Sequence, residues 1–208
     1  MGFVFNTYIL DIFDFTNFIK TMDRNFFDFV ANPDKEHFLR SRNIVITDSE
    51  YDPYSDDLSN LGKLLDEGKF DEVSTYKNVN VLLSPRAHLY KAYAFNKKGM
   101  QAEEKAESIL ASQILENITL TGNGSKELPY IITHIDDEKD VLAYIEEQFM
   151  MQALVKDDGR FCDCLTTQSG KKVYFDITDC YAKIAGFSLD DLLEGIADEP
   201  KKKWWKLW

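Results

Sequence analysis

A helical stripe of apolar residues is the first strong pattern along the chain. From residue 8 to residue 29 the apolar positions recur at steps of four and three, and a second apolar set widens the same face. The stripe stops at Asn32-Pro33, because a proline disfavours the helical conformation of the residue before it. This spacing predicts one long amphipathic helix, whose apolar face we expect to pack in the core, with a partner-binding face as the alternative.

The pattern weakens over residues 37–53, which are polar and rich in tyrosine and aspartate. The one apolar run in this segment is Ile44-Val45-Ile46. A short run of β-branched residues within a polar segment is typical of a strand. We therefore predict a connector that contains one brief strand.

Helical spacing returns after this connector. Ser55 can cap a helix that carries four leucines and ends at Gly68. A second helix begins near Phe70. The sequence therefore predicts two short helices joined by a glycine turn.

A second pair of helices has clearer boundaries. Ser84-Pro85 is a strong helix start, because serine can accept the free N–H groups of the first turn and proline fits the first helical position. This helix ends at residues 97–99, and its partner runs from about residue 101 to the Gly122-Asn123-Gly124 break. The pair resembles one hairpin of the tetratricopeptide type.

After the glycine-rich break the period changes from helical to strand-like. A strand is predicted over residues 129–135, and the acidic residues that follow suit a helix N-terminus, where the helix dipole favours negative charge. Two further strands, residues 160–165 and 172–176, flank a polar turn and form a hairpin beside residues 150–155. A last helix is predicted over residues 188–194.

Together these elements predict an α+β protein. A helical N-terminal half, with the long amphipathic helix and tetratricopeptide-like hairpins, is followed by a small, mostly antiparallel sheet with one or two helices. We predict a helical region over residues 1–122, a small α+β region packed on it over residues 123–186, and a C-terminal helix with a Lys/Trp-rich tail over residues 187–208.

Composition narrows the classes of function. The chain has 24 Lys and Arg against 36 Asp and Glu, a net charge of −12, which repels nucleic acids and anionic membranes over most of the surface. No apolar run approaches the roughly 20 residues of a membrane-spanning helix, and Asp11 and Asp14 interrupt the stretch where an export signal would be uncharged. The 3 cysteines are too few and odd in number for a disulfide framework. We expect a soluble, cytoplasmic protein that binds no nucleic acid.

Four segments carry a resemblance to a known family when they are taken in order. They are residues 64–72, residues 88–93, residues 122–125 with 130–132, and residues 173–177. Through them the stretch from residue 51 to residue 181 resembles a bacterial family of unknown function, whose members pair tetratricopeptide-like helices with a short β-rich part. The resemblance implies an architecture and brings no catalytic residue with it.

Two groups of residues are candidates for chemistry. Cys162 and Cys164 would share one face of a strand, where thiolates can help to hold a metal, but closed zinc sites usually need four ligands. His134 stands beside three carboxylates, which the dipole of the following helix explains on its own. We predict no catalytic residue, no metal site and no cofactor. An enzyme that joins Cys180, His134 and a carboxylate is a third hypothesis.

Two acidic clusters are candidates for binding a protein. An acidic surface attracts a basic partner and speeds the encounter. The leading hypothesis is a non-enzymatic protein-binding module, most concretely an immunity protein that binds and neutralises a basic bacterial toxin. The charges predicted to contact the partner are Asp56, Asp57, Asp66, Glu67, Asp71, Glu72, Asp136, Asp137, Glu138 and Asp140.

The C-terminal tail, residues 201–208, combines lysines with tryptophans in an otherwise acidic protein. Both residue types favour the membrane interface. A disordered end, a weak lipid contact and docking on a protein all stay open as explanations. The second hypothesis is therefore a peripheral membrane-associated scaffold held by this tail. Its anchor residues are Lys203, Trp204, Trp205 and Trp208.

Overall fold

Helices precede strands along the chain, as the sequence predicts. The computed structural model describes residues 24–157 and 159–185. Within them lie eight α-helices and one four-stranded sheet, which confirms the α+β class. The helices are α1 (Arg24–Ala31), α2 (Lys35–Thr47), α3 (Asp57–Asp66), α4 (Phe70–Thr75), α5 (Pro85–Lys97), α6 (Gln101–Thr121), α7 (Asp137–Tyr144) and α8 (Thr178–Ala185). The strands are β1 (Tyr130–Ile131), β2 (Phe149–Asp157), β3 (Arg160–Thr167) and β4 (Lys172–Asp176).

Helix α1 contains the described end of the N-terminal apolar stripe. It buries Phe26, Phe29 and Val30, and it ends immediately before Asn32-Pro33. The proline therefore stops the helix where the sequence predicts. The part of the predicted helix before residue 24 lies outside the described residues.

Helix α2 stands where the sequence predicts a connector with a brief strand, so that prediction is wrong. Asp34 begins the helix, because its side-chain oxygen accepts the backbone N–H of His37 at 2.9 Å. The buried residues of the helix are Phe38, Ser41, Arg42 and Val45. Two of these four are polar, so an apolar pattern does not reveal the helical spacing.

The boundaries from α3 to α6 follow the predicted signals. Gly68, with a φ of 72°, turns the chain between α3 and α4. The Ser55 hydroxyl lies one residue before the N-cap of α3 and accepts the N–H of Asp57 at 3.1 Å. Ser84 caps α5 and accepts the N–H of Ala87 at 3.3 Å. Local capping chemistry therefore sets most of these helix ends.

The sheet has the strand order β1-β4-β3-β2 and is mostly antiparallel, as predicted. The pairs β2–β3 and β3–β4 are antiparallel, whereas β1 runs parallel to β4. β1 contains only Tyr130–Ile131, so the predicted strand over residues 129–135 is too long. Residues 132–136 form an irregular loop that leads into α7. This loop, the β1–α7 loop, carries the candidate site.

One apolar core joins the helices to the sheet. Phe29 of α1 and Phe38 of α2 belong to the same cluster of buried side chains as Ile118 of α6 and as Leu165 and Phe175 of the sheet. A smaller cluster lies among α3, α4 and α5. Because burial of apolar surface is the main favourable term in folding, the larger cluster fixes the sheet against α1, α2 and α6.

Two glycines turn the chain between α6 and β1. A Cβ atom at Gly122 would lie 2.2 Å from the carbonyl oxygen of Pro129, so no side chain fits there. At Gly124 φ is 72°, and a Cβ atom would lie 2.7 Å from the ring of Tyr130. The corner needs glycine at both positions because its two arms approach so closely.

We expect Gly122→Ala to lower the free energy of unfolding by about 3 kcal/mol, because the backbone of residues 128–129 must move to admit one methyl group. Gly170→Ala is the control for backbone strain without crowding, since Gly170 has a positive φ, 86°, and nothing lies within 4 Å of its Cβ position, whereas Gly122 has an ordinary φ of −152°. The control should cost only about 1 kcal/mol. Urea denaturation compares the two variants, and equal losses would contradict the steric role of Gly122.

Helix α7 ends on a glutamate in a conformation that favours glycine. Glu146 has a φ of 60°. Its N–H donates to the carbonyl of Ala143 at 3.1 Å, and the N–H of Glu147 donates to the carbonyl of Leu142 at 2.8 Å. This pair of bonds is the Schellman ending, in which glycine usually holds the left-handed position. Glu146 is therefore strained.

We expect Glu146→Gly to raise the free energy of unfolding by about 0.5 kcal/mol, because relief of the left-handed strain exceeds the added entropy of the unfolded chain. Glu67→Gly is the control at another exposed helix end, where φ is an ordinary −76°. There glycine should destabilise by roughly 0.5 kcal/mol. Differential scanning calorimetry measures both, and a loss in each variant would count against strain at Glu146.

Candidate functional site

The β1–α7 loop is buried beneath the segment that follows α2. The hydroxyl of Tyr51 donates to the carbonyl oxygen of Thr133 at 2.5 Å, and its ring centroid lies 5.3 Å from that of His134. The N–H of Ile135 donates to the carbonyl oxygen of Pro53 at 3.4 Å. We call residues 51–56 the covering loop. It contacts residues 133–135 of the β1–α7 loop.

Asp137 holds the β1–α7 loop from inside. Its Oδ2 atom accepts the N–H of Thr133 at 3.1 Å and the N–H of His134 at 2.8 Å. The residue is 0% exposed, and Oδ1 has no hydrogen-bond partner. Burial raises the pKa of Asp137 to about 8, with the carboxyls of Asp140 and Asp136 adding to the effect against the two backbone bonds. Burial therefore favours the neutral form of Asp137.

Arg42 joins α2 to the start of the β1–α7 loop and to α8. Its Nε atom donates to the carbonyl of Ile132 at 2.8 Å, and its Nη1 atom donates to Asp179 Oδ2 of α8 at 2.6 Å. The guanidinium is almost fully buried, and a buried charge requires such a partner. Arg42 thus connects three elements that are distant in sequence.

Cys180 and His134 each lie beside Tyr51 in one buried centre, and no hydrogen bond is recorded between the two. The Cys180 sulfur lies 3.5 Å from the Tyr51 hydroxyl and 3.6 Å from the carbonyl oxygen of Thr133. Burial raises the pKa of the Cys180 thiol to about 12 and lowers the pKa of His134 to about 4. At neutral pH the centre therefore contains a thiol and a neutral imidazole, which is unlike an activated nucleophile with its base.

Two further carboxyl groups, one on α7 and one on β3, are buried. Glu138 of α7 is 2% exposed and Asp163 of β3 is 4% exposed. The Nε2 atom of Gln152 donates to Asp163 Oδ2 at 2.5 Å, whereas Glu138 Oε1 has no hydrogen-bond partner. Burial raises the pKa values of both acids.

The ten acidic residues predicted to contact a partner differ in exposure. Six are exposed: Asp56, Asp66, Glu67, Asp71, Glu72 and Asp136. Asp137 and Glu138 are buried and cannot reach a partner in this structure, which corrects their assignment. They begin α7 as the dipole argument expects, but the fold buries them.

Asp57 and Asp140 are partly buried and are engaged within the protein. Asp57 accepts hydrogen bonds from the hydroxyls of Ser55 and Tyr76 and, at 3.0 Å, from Asn80. Burial alone would raise the pKa of Asp57, but these three bonds outweigh it and lower the pKa. Neither residue presents a free carboxylate to a partner.

Asp140 forms an ion pair with Arg86 of α5. Its Oδ1 atom accepts from Nε at 2.8 Å and from Nη2 at 2.6 Å. Burial is the largest influence on the Asp140 carboxyl and raises its pKa, although Arg86 opposes it. This pair ties α7 to α5.

The helix corner is the exposed acidic turn between α3 and α4, formed by Asp66, Glu67, Asp71 and Glu72. Lysines neutralise part of its charge, because Lys69 lies 2.8 Å from Glu67 and Lys98 lies 2.7 Å from Asp71. Ion pairs at such exposed positions contribute little to stability. The helix corner is therefore less acidic than its sequence indicates.

A second buried polar group, which the sequence analysis misses, lies between α5 and α6. His88 Nδ1 lies 2.6 Å from Glu107 Oε2, and His88 Nε2 lies 2.9 Å from the carbonyl oxygen of Leu82. Burial would raise the pKa of Glu107, but His88 and the buried Lys91 outweigh it and lower the pKa. His88 and Glu107 both stand at core positions in the helical spacing of α5 and α6. That spacing is the sequence signal that could reveal them.

Metal binding and membrane spanning find no support in the described part of the chain. No group of three or more His, Cys, Asp or Glu residues there has the arrangement to hold a metal ion. Cys162 and Cys164 share one face of β3, opposite Val155 and Ala153 of β2. None of the helices described is both long and apolar enough to cross a bilayer. The tail residues Lys203, Trp204, Trp205 and Trp208 lie outside the described residues.

Comparison with known proteins places this site inside a family domain. Residues 48–185 of the 208 match the family described as a domain of unknown function, DUF4919. The match covers more than half of the chain, so the chain belongs to this family. It contains the covering loop, the β1–α7 loop and the whole sheet. No curated protein and no solved structure matches the chain significantly. The tetratricopeptide-like pairing and the bacterial origin stay predictions.

We expect all three cysteines to resist thiol reagents in the folded protein, because each is buried and burial raises the pKa values of Cys162 and Cys180 to about 11 and about 12. Their reaction with a disulfide reagent at pH 8 should be slower by a factor of about 100 or more than in denaturant. Rapid native labelling of Cys180, mapped by mass spectrometry, would instead revive the hypothesis of a cysteine enzyme.

Proposed function

We propose that this member of the DUF4919 family is a non-enzymatic protein-binding module that contacts its partner through the surface of the covering loop. We call this surface the loop face and define it by Asp52, Tyr54, Asp56 and Asp136. The observation that carries the proposal is an exposed aromatic side chain among exposed carboxylates. Tyrosine is enriched among the residues that dominate binding energy, and the carboxylates favour a basic partner.

Tyr54 lies at the middle of the loop face. Its side chain is 43% exposed although it belongs to a loop whose other aromatic residue, Tyr51, is buried. Asp52 and Asp56 flank it in sequence, and both are exposed. Such a ring has a polar end for hydrogen bonding and an apolar face that a partner can cover.

The fourth residue of the loop face comes from a different part of the chain. The hydrogen bond from Ile135 to Pro53 places Asp136 beside the covering loop. Asp56 and Asp136 come from the two separate acidic clusters of the sequence, and both are exposed. The hydrogen bond joins the two segments that carry these carboxylates, and the charge of each attracts a basic partner.

The buried centre supports this surface from below. Tyr51 is fixed by its hydrogen bond to Thr133, and the N–H of Asp52 donates to Asn80 at 2.9 Å. A loop held in this way loses little conformational freedom when it binds. The buried residues that resemble a catalytic group thus have a structural role, which supports a binding protein over an enzyme.

The most concrete form of the proposal is a cytoplasmic immunity protein that covers the basic active site of a bacterial toxin. A net charge of −12 gives the attraction that speeds such an encounter. Catalysis is unnecessary in this role, because occupation of the toxin is enough. The alternative is a membrane-associated scaffold, and it rests on the composition of residues 201–208 alone.

We expect a photo-crosslinking phenylalanine analogue in place of Tyr54 to capture one protein partner in cells. The same analogue in place of Tyr93, an equally exposed tyrosine on α5, should capture it far less. A chain truncated before Lys201 should retain the capture. If only the intact tail supports capture, or if both tyrosine positions crosslink the same proteins equally, binding does not take place at the loop face.

We expect reversal of charge on the loop face, Asp56→Lys with Asp136→Lys, to slow association with the captured partner by about tenfold or more at low salt. Asp66→Lys with Glu72→Lys is the matched control, because it makes the same change in net charge at the helix corner. Stopped-flow or surface-based kinetics measure both rates. Equal slowing in the two variants would show a general charge effect and would reject a specific loop face.

A further inference from the structure

His88 of α5 lies between two hydrogen-bond acceptors in the interior of the protein. Its Nδ1 atom is 2.6 Å from Glu107 Oε2, and its Nε2 atom is 2.9 Å from the carbonyl oxygen of Leu82. His88 is 1% exposed and Glu107 is 4% exposed. The imidazole ring therefore joins α6, which carries Glu107, to the turn before α5, which carries Leu82.

These two contacts require two protons on or beside the ring. A backbone carbonyl oxygen can only accept a hydrogen bond, so Nε2 carries a hydrogen. A neutral imidazole has a single N–H, which would leave a lone pair on Nδ1. That lone pair would face a carboxylate oxygen of Glu107 at 2.6 Å and be repelled. The contact between Nδ1 and Oε2 is therefore a hydrogen bond that contains a second proton.

The charges around Glu107 favour its ionised form, so the second proton belongs to the ring. Burial alone would raise the pKa of Glu107, but His88 and Lys91 outweigh it and lower the pKa. Burial lowers the pKa of Lys91 against the attraction of Glu107, and Lys77 from the segment after α4 adds to the lowering. Burial thus favours a neutral amine at Lys91, and His88 is the hydrogen-bonded cation that compensates the buried carboxylate.

Two other ion pairs reach α5 from neighbouring helices. α7 brings Asp140, which pairs with Arg86 of α5 at 2.6 Å. α4 brings Asp71, which pairs with Lys98 at the end of α5 at 2.7 Å. Each of these carboxylates has its own cation, so Glu107 is the acid that forms the ion pair with His88.

We propose that His88 is a buried imidazolium that acts as a proton-dependent lock between α5, α6 and the turn before α5. We call His88, Glu107 and the carbonyl of Leu82 the helix lock. With both ring protons in place, each acceptor has its donor. When one proton leaves to solvent, the single N–H that remains can serve one acceptor only. The other acceptor is then buried without a donor, which is costly, so α5 loosens at this point.

The helix lock has an acid limit and an alkaline limit. The acid limit belongs to Glu107, because its pKa is lowered in the folded protein. Stability from this carboxylate is present above its ordinary pKa and is lost as the pH falls through the folded pKa. The alkaline limit belongs to the ring, because the lock opens when rising pH removes one of its two protons. Neither limit involves a partner, so the helix lock does not rest on the proposed function.

Nitrogen NMR of the whole protein tests the second proton directly. With uniform ¹⁵N and ¹³C labels, each histidine ring is assigned through its own backbone. At pH 7.5 both ring nitrogens of His88 should have the shifts of an imidazolium, although a histidine in an unfolded chain is mostly neutral there. His134 is the internal control, because burial lowers its pKa to about 4 and its ring should be neutral. A neutral ring at His88 overturns the proposal.

Substitutions in α6 test which group holds the proton. Glu107→Gln removes the carboxylate, so the ring of His88 should be neutral at pH 7.5 in this variant. Glu116→Gln is the matched control at an exposed position of the same helix, and it should leave both ring protons in place. Loss of the imidazolium in both variants, or in neither, would reject Glu107 as its partner.

Hydrogen exchange of residues 85–97, corrected for the chemical exchange rate, tests the lock. Over the pH range in which NMR shows the ring to lose a proton, the opening of α5 should increase by about tenfold or more in the wild type, as for loss of a hydrogen bond to a charged group. In His88→Gln, whose amide does not titrate, and in Glu107→Gln the increase should be lost. Lys91 and Lys77 are present in all three proteins, so the difference reports the ring. An equal increase in all three, or no increase in the wild type, overturns the lock.

Discussion

The buried cation Arg42 joins the helices to the loop that follows β1, and the buried centre depends on this connection. Its guanidinium connects α2 with the backbone at the end of β1 and with Asp179 of α8. The backbone acceptor, Ile132, is 90 positions away in sequence. A charge in such a place is tolerable only when it is paired and hydrogen-bonded, so the three elements have one arrangement that satisfies it.

The β1–α7 loop shows why this constraint is needed. A two-residue strand leaves the following backbone without ladder partners, although it is buried, and buried backbone groups must be paired. Side chains supply the partners. Arg42 and Tyr51 donate to the carbonyls of Ile132 and Thr133, and Asp137 accepts two N–H groups. The polar residues that resemble an active site are therefore those that an irregular buried loop requires.

The sequence correctly predicts the elements whose caps, breaks and apolar spacing match the burial of their residues in the fold. Ser84 and the glycine break define the long helices, and alternating residues reveal the hairpin of β3 and β4. The prediction fails for α2, because Ser41 and Arg42 occupy core positions and hide the apolar spacing. It extends β1 too far, because Ile132 and Ile135 are buried in a loop. An apolar pattern indicates which residues are buried. It indicates secondary structure only where the buried residues also follow the spacing of a helix or a strand.

The candidate site is harder to predict for a related reason. Acidic residues at the start of α7 are expected from the helix dipole and equally from an acidic surface. Asp136 is exposed, whereas Asp137 and Glu138 are buried, and the sequence spacing does not show this difference. Their burial comes from the fold. The covering loop, about eighty residues earlier in the chain, turns Tyr54 to solvent. The fold thus removes two carboxyls of the second acidic cluster from the surface and leaves exposed Tyr54 and the carboxylates suited to bind a basic partner.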